Sequence, residues 1–99
     1  MYKVAINWDF GGWDLSTNYE IKDFLISKGL NKKLIEEIEL GFHKHRCNPI
    51  LIEALEKYPQ EDIEFIQVPK KHGYIIVNYD GAETVITSDP DNFIFFKEE

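Results

Sequence analysis

The sequence predicts an α+β domain in which a small antiparallel sheet packs with two or three helices. Three observations carry this: a period-2 strand at the start, three capped stretches of helical periodicity in the middle, and an Asp-Gly hairpin signature near the end. At 99 residues the chain has the size of one domain with one core, so 1–99 is read as a single α+β domain.

Tyr2, Val4, Ile6 and Trp8 alternate with Lys3, Ala5 and Asn7, the pattern of a strand with one buried face. Gly11 and Gly12 permit a tight turn after it, with Trp8 directed into the core. Thr17 and Glu20 stand three apart as a capping box, and Ile21, Phe24 and Leu25 share a stripe, which predicts a helix over 18–28. Gly29 suits its left-handed cap, with Leu30 folding back onto Leu25. Asn31 caps a second helix bearing Leu34, Ile35 and Ile38 and closed by Gly41. Its early Lys32 and Lys33 oppose the helix dipole, so this helix depends on tertiary packing. Asn48 as cap and Pro49 in the first turn begin a third, with Ile50, Leu51, Ala54, Leu55 and Tyr58 on its stripe.

From Asp62 the pattern becomes β. IEFIQV leads through PKKHG to YIIVNY, and Asp80-Gly81 joins that strand to AETVIT as a type I′ hairpin, which requires positive φ at both turn positions. Residues 79 and 82, 77 and 84, and 75 and 86 then face each other. One face carries Ile75, Val77, Tyr79, Ala82, Thr84 and Ile86, and the other Tyr74, Ile76, Asn78, Glu83, Val85 and Thr87. Phe93 to Phe96 also place aromatics on both faces of a final strand. A small sheet with helices on one side ordinarily leaves its other side polar. Either the helices are split across this sheet, or its second face meets another chain, in a homo-oligomer or with a protein partner.

Composition narrows the function. The chain is 43% hydrophobic and 14% aromatic, enough to fold without staples. A net charge of −7 argues against direct nucleic-acid binding, since such proteins display a basic stripe, and acidity reads first as solubility. The longest apolar runs fall far short of the roughly 20 residues of a membrane helix. Cys47 stands alone, which excludes an intramolecular disulfide, and no leader signature opens the chain, so a cytoplasmic setting is expected.

Candidate chemistry concentrates in two places. In WDFGGWD, Trp8 to Asp14, the DFG letters lack every companion motif of a kinase. Glycine-rich backbone ahead of a helix can cradle phosphate, yet Asp9 and Asp14 repel an anion and the loop holds no lysine. HKHRC, His43 to Cys47, lacks the second ligand pair that zinc sites use, so neither metal nor cofactor is expected. No GxSxG or HExxH is present, and binding is favoured over catalysis. Arg46, just ahead of a helix start, can pair with a carboxylate from Asp9 or Asp80, or with a ligand anion. The candidate site is therefore Asp9, Phe10, Gly11, Gly12, Trp13, Arg46 and Asp80, with Phe10 and Trp13 partly exposed and Arg46 beside them.

Three stretches, VAINWDFGGWDLS, RCNPILIEALE and IEFIQVPKKHGYIIVNYDGAETV, together cover about half the chain. They are similar to a family of small, mostly uncharacterised proteins of bacteriophages, prophages and some larger viruses. The resemblance rests on Gly11, Gly12, Trp13, Leu15 and Ser16, on Arg46 and Pro49, and on Tyr79, Asp80, Gly81 and Glu83. Trp13 stands where that family more often has phenylalanine, Asp14 where it has glycine, and Asn48 where it has aspartate. The resemblance implies an α+β domain and a viral accessory role in the cytoplasm of the infected or lysogenic host. The expectation is stoichiometric binding that inhibits a host defence or regulatory protein. The alternative is an oligomeric module that sequesters a nucleotide-like signal, with Trp13 or Phe10 stacked on a base and Arg46 on phosphate.

Overall fold

A computed structural model describes residues 1–88. The fold is α+β, and its elements run β1 (Tyr2–Asn7), α1 (Tyr19–Ser27), α2 (Lys32–Glu39), a 3-10 turn (His43–His45), α3 (Pro49–Lys57), β2 (Ile63–Val68), β3 (Gly73–Tyr79) and β4 (Ala82–Ser88). The strand expected at Phe93 to Phe96 lies outside the described residues.

The helices begin where side-chain acceptors occur. Asn31 accepts from the Leu34 N–H, and Asn48 accepts from Ile50 and Leu51 with Pro49 in the first turn. At α1 the cap is Asn18, which accepts from Ile21 N–H, in place of the expected Thr17. An Asn side-chain oxygen competes well for that position, and Glu20 still supplies a carboxylate to the first turn. Gly29 takes the left-handed conformation after α1, and the Leu30 N–H bonds back to Leu25.

The strands pair as two antiparallel ribbons, β1 with β2 and β3 with β4, rather than as one sheet. In the second ribbon Asp80 and Gly81 both have positive φ, 51° and 93°, and the register opposes Tyr79 to Ala82, Val77 to Thr84 and Ile75 to Ile86 as the hairpin signature requires. β1 is buried on both faces, contrary to the one-faced strand expected from its alternation. Ala5 joins the helical core of Leu15, Ile21, Leu25, Ile38, Leu51 and Leu55. Tyr2, Val4 and Ile6 enter a second cluster with Val68, Tyr74 and Ile76 from β2 and the hairpin. The β1–β2 ribbon is thus the middle layer, with helices on one side and the hairpin on the other. The hairpin face that carries Tyr74, Ile76 and Glu83 packs on this layer, while among the described residues Ile75, Val77, Tyr79 and Ile86 of its other face stay exposed.

Trp8 departs from the expected core position and is 52% exposed. β1 ends at Asn7, so Trp8 sits beyond the layer that the hairpin covers. Its backbone N–H still bonds to Asp62 O, and its indole N–H donates to the exposed Glu61 carbonyl.

Candidate functional site

The three sequence stretches converge on one side chain. Arg46 follows the 3-10 turn and precedes the Asn48 cap, which fixes its backbone against β1: Ala5 N–H bonds to Arg46 O at 2.8 Å. Its guanidinium is 2% exposed and donates through Nη1 and Nη2 to the two oxygens of Glu83, at 2.6 and 2.8 Å. Nη1 also reaches Ala5 O, and Nε reaches Gly41 O. Four of the five guanidinium N–H groups are therefore engaged within the chain. One face of the group is covered by Trp13, whose ring centroid lies 3.8 Å from Cζ. Trp13 is itself held by its indole N–H, which donates to Ile38 O.

The carboxylate on Arg46 is thus Glu83, and neither Asp9 nor Asp80. Asp9 is exposed and turns onto its own loop, accepting from Phe10 N–H at 2.7 Å. Asp80 is exposed in the left-handed turn position of the hairpin. The sequence pattern held a usable signal for Glu83. In the type I′ register it falls on the same face as Tyr74 and Ile76, and a carboxylate among buried apolar neighbours requires a charged or hydrogen-bonding partner.

Glu83 does more than neutralise Arg46. Its Oε1 also accepts from the Asn7 backbone N–H at 2.8 Å, while the Asn7 amide group donates to Gly81 O and Asp9 O. Alternate residues of an antiparallel strand turn their N–H and C=O groups to opposite edges. Trp8 N–H faces β2, so Ala5 and Asn7 face away from it. The Arg46 carbonyl, the Arg46 guanidinium and the Glu83 carboxylate therefore occupy the positions a neighbouring strand would take along the free edge of β1. This is why the hairpin lies beside β1 as a separate ribbon instead of extending the sheet.

Two glycines permit the close approach. A Cβ on Gly41 would stand 2.5 Å from Trp13 Cδ1 and 2.8 Å from Arg46 Nη2, and a Cβ on Gly81 would run into the Phe10 carbonyl. Both have positive φ. Gly11 and Gly12 meet no such obstacle; the positive φ of Gly12 alone explains the preference there. Of the expected site residues, Gly12, Trp13 and Arg46 form or border this junction. Phe10 stands at its edge with its side chain 66% exposed, while Asp9, Gly11 and Asp80 contribute no side-chain contact to Arg46.

The HKHRC run is absorbed into structure. The His45 ring bonds to Glu37 at 2.8 Å and holds that carboxyl below its ordinary range. Burial, then the nearby Arg46 charge, holds the His43 imidazole below its usual value. Cys47 is buried beside Tyr74, whose hydroxyl donates to His43 O. Burial pushes the Tyr74 phenol upward. Among the described residues no group of three His, Cys, Asp or Glu side chains is placed to hold a metal, and no helix is long and apolar enough to cross a membrane.

Comparison with protein-family profiles, with curated protein sequences and with solved structures returned no match.

Proposed function

We propose that this chain acts by stoichiometric binding of a protein partner through the outer face of its hairpin and the adjoining Phe10. One observation carries the reading. Ile75, Val77, Tyr79, Ala82, Thr84 and Ile86 make an outer face without a single charge, in a chain where 29% of residues are charged. Tyr79 is 73% exposed, Ile86 54% and Val77 43%. Contiguous apolar surface of this kind ordinarily marks an interaction site, with exposed aromatics as its anchors. The buried Arg46–Glu83 pair fixes the hairpin to β1, so the face is presented on a rigid support and little ordering accompanies binding.

The resemblance to small phage and prophage proteins is what suggests a host defence or regulatory protein as the partner, with inhibition as the outcome. The alternative, capture of a nucleotide-like signal, relied on Arg46 to hold phosphate. That guanidinium is buried and bonded within the chain, which weighs against it. The test is capture from a bacterial host lysate by the unmodified protein and by a Phe10→Ser, Tyr79→Ser variant. Both side chains are exposed, so the variant should stay folded and lose the partner. An unchanged set of captured proteins would count against this face.

A further inference from the structure

The groove between α1 and α2 lies away from the hairpin, and its chemistry has no role in the binding reading above. It encloses about 450 Å³, within the size range of small-molecule sites. Ile26, Leu30 and Ile35 give it apolar walls, and Lys22, Lys32, Glu36 and Glu39 supply its charges. Glu39 is the unusual member. Its side chain is 8% exposed, and its Oε2 has no hydrogen-bond partner among the described residues. The Lys22 ammonium lies 3.5 Å away, close enough to balance the charge but not placed to donate a hydrogen bond. A buried carboxylate oxygen in this condition lacks a donor more than it lacks a charge.

We propose that this groove binds a small, uncharged, largely apolar molecule that presents one N–H or O–H donor to Glu39. The apolar walls set the body of the ligand, and the orphaned oxygen sets its polar group. The lining sums to two ammonium groups and two carboxylates, so a cation meets Lys22 and Lys32 and an anion meets Glu36 and Glu39. A neutral donor meets neither penalty. Lys22, on a flexible four-carbon stem, stays within ion-pair distance of Oε2 and keeps the carboxylate charge balanced while the donor bonds to it.

Indole and 1-methylindole test this directly, because they share a ring and differ in the donor. Each is titrated into the 99-residue chain to its solubility limit while backbone amide chemical shifts are followed. Indole should saturate and move the amides of Leu30, Ile35 and Glu39, and 1-methylindole should bind about ten-fold or more weakly, the worth of a hydrogen bond to a charged acceptor. In Glu39→Met the two probes should bind alike. Should that variant fail to fold, the comparison on the unmodified protein decides alone. Equal affinity of the two probes for the unmodified protein, absence of a saturable indole shift, or shifts confined to other elements would each overturn the proposal.

Discussion

Arg46 and Glu83 meet through two parallel N–H···O bonds of 2.6 and 2.8 Å, with both side chains almost wholly out of water. The pair joins a residue at the foot of α3 to one in β4, 37 positions apart, and each partner also bonds to the backbone of β1. It is a three-way latch between helix layer, central ribbon and hairpin. The motif glycines and Trp13 are arranged around it, which gives the opening WDFGGWD loop a structural purpose: it closes over the latch and leaves Phe10 outside.

The two glycine environments lead to different substitution costs. Gly12→Ala meets open space and should cost about 1–2 kcal/mol, the penalty of a left-handed conformation. Gly81→Ala adds a collision with the Phe10 backbone to the same penalty and should cost about 1–3 kcal/mol more. Urea unfolding of the two variants checks the order. Equal losses would mean that the loop is not pressed against the hairpin turn.

The two tryptophans should behave oppositely. Trp13→Phe loses the bond to Ile38 O and part of the ring over Arg46, an expected loss of about 1–3 kcal/mol. Trp8→Phe removes one exposed indole bond and should cost less than about 1 kcal/mol. Thermal melts of both variants decide this, and a larger loss at Trp8 would contradict the placement of the two rings.

Acid should weaken the fold through His43 before it reaches the carboxylates. The folded chain holds the His43 pKa below its ordinary 6.5, so the unfolded chain binds more protons as pH falls through that value. The stability from this group is complete above about pH 6.5 and declines below it. Arg46 opposes the protonated ring, and Glu83 partly favours it. Glu37, held below its ordinary 4.5 by His45, contributes stability that is lost only at more acidic pH. Unfolding midpoints of the unmodified protein and of His43→Gln, measured between pH 7 and 5, should show a shallower fall in the variant. Parallel curves would remove His43 from the account.

Local chemistry made much of this fold legible. Asp80-Gly81 specified the hairpin and its register, and Asn31, Asn48 and Gly29 marked helix ends, because each acts on groups within a few residues of itself. The long-range facts were less accessible. Alternation puts Ala5 and Asn7 opposite the one buried face expected of β1, but packing between two layers buries both. Trp8 looked like a core residue by its alternation, and only the end of β1 at Asn7 places it outside. From its position Arg46 reads as pairing with a carboxylate of Asp9 or Asp80 or with a ligand anion, while its partner, Glu83, depends on how the hairpin docks. Short-range spacing carries no information about that docking; the inward placement of Glu83 in the hairpin register was the available clue.

A double-mutant cycle on Arg46→Ala and Glu83→Ala, followed by urea unfolding, tests the latch most directly. Each single change should cost about 3–5 kcal/mol, since it strands a buried charge, and the coupling should far exceed the roughly 0.2–1 kcal/mol of exposed pairs. The double variant should still fall well below the unmodified protein, because Ala5 O, Gly41 O and Asn7 N–H lose their partners as well. Coupling at the level of a surface ion pair, with single losses under about 1 kcal/mol, would contradict the latch and return Arg46 to consideration as a ligand-binding cation.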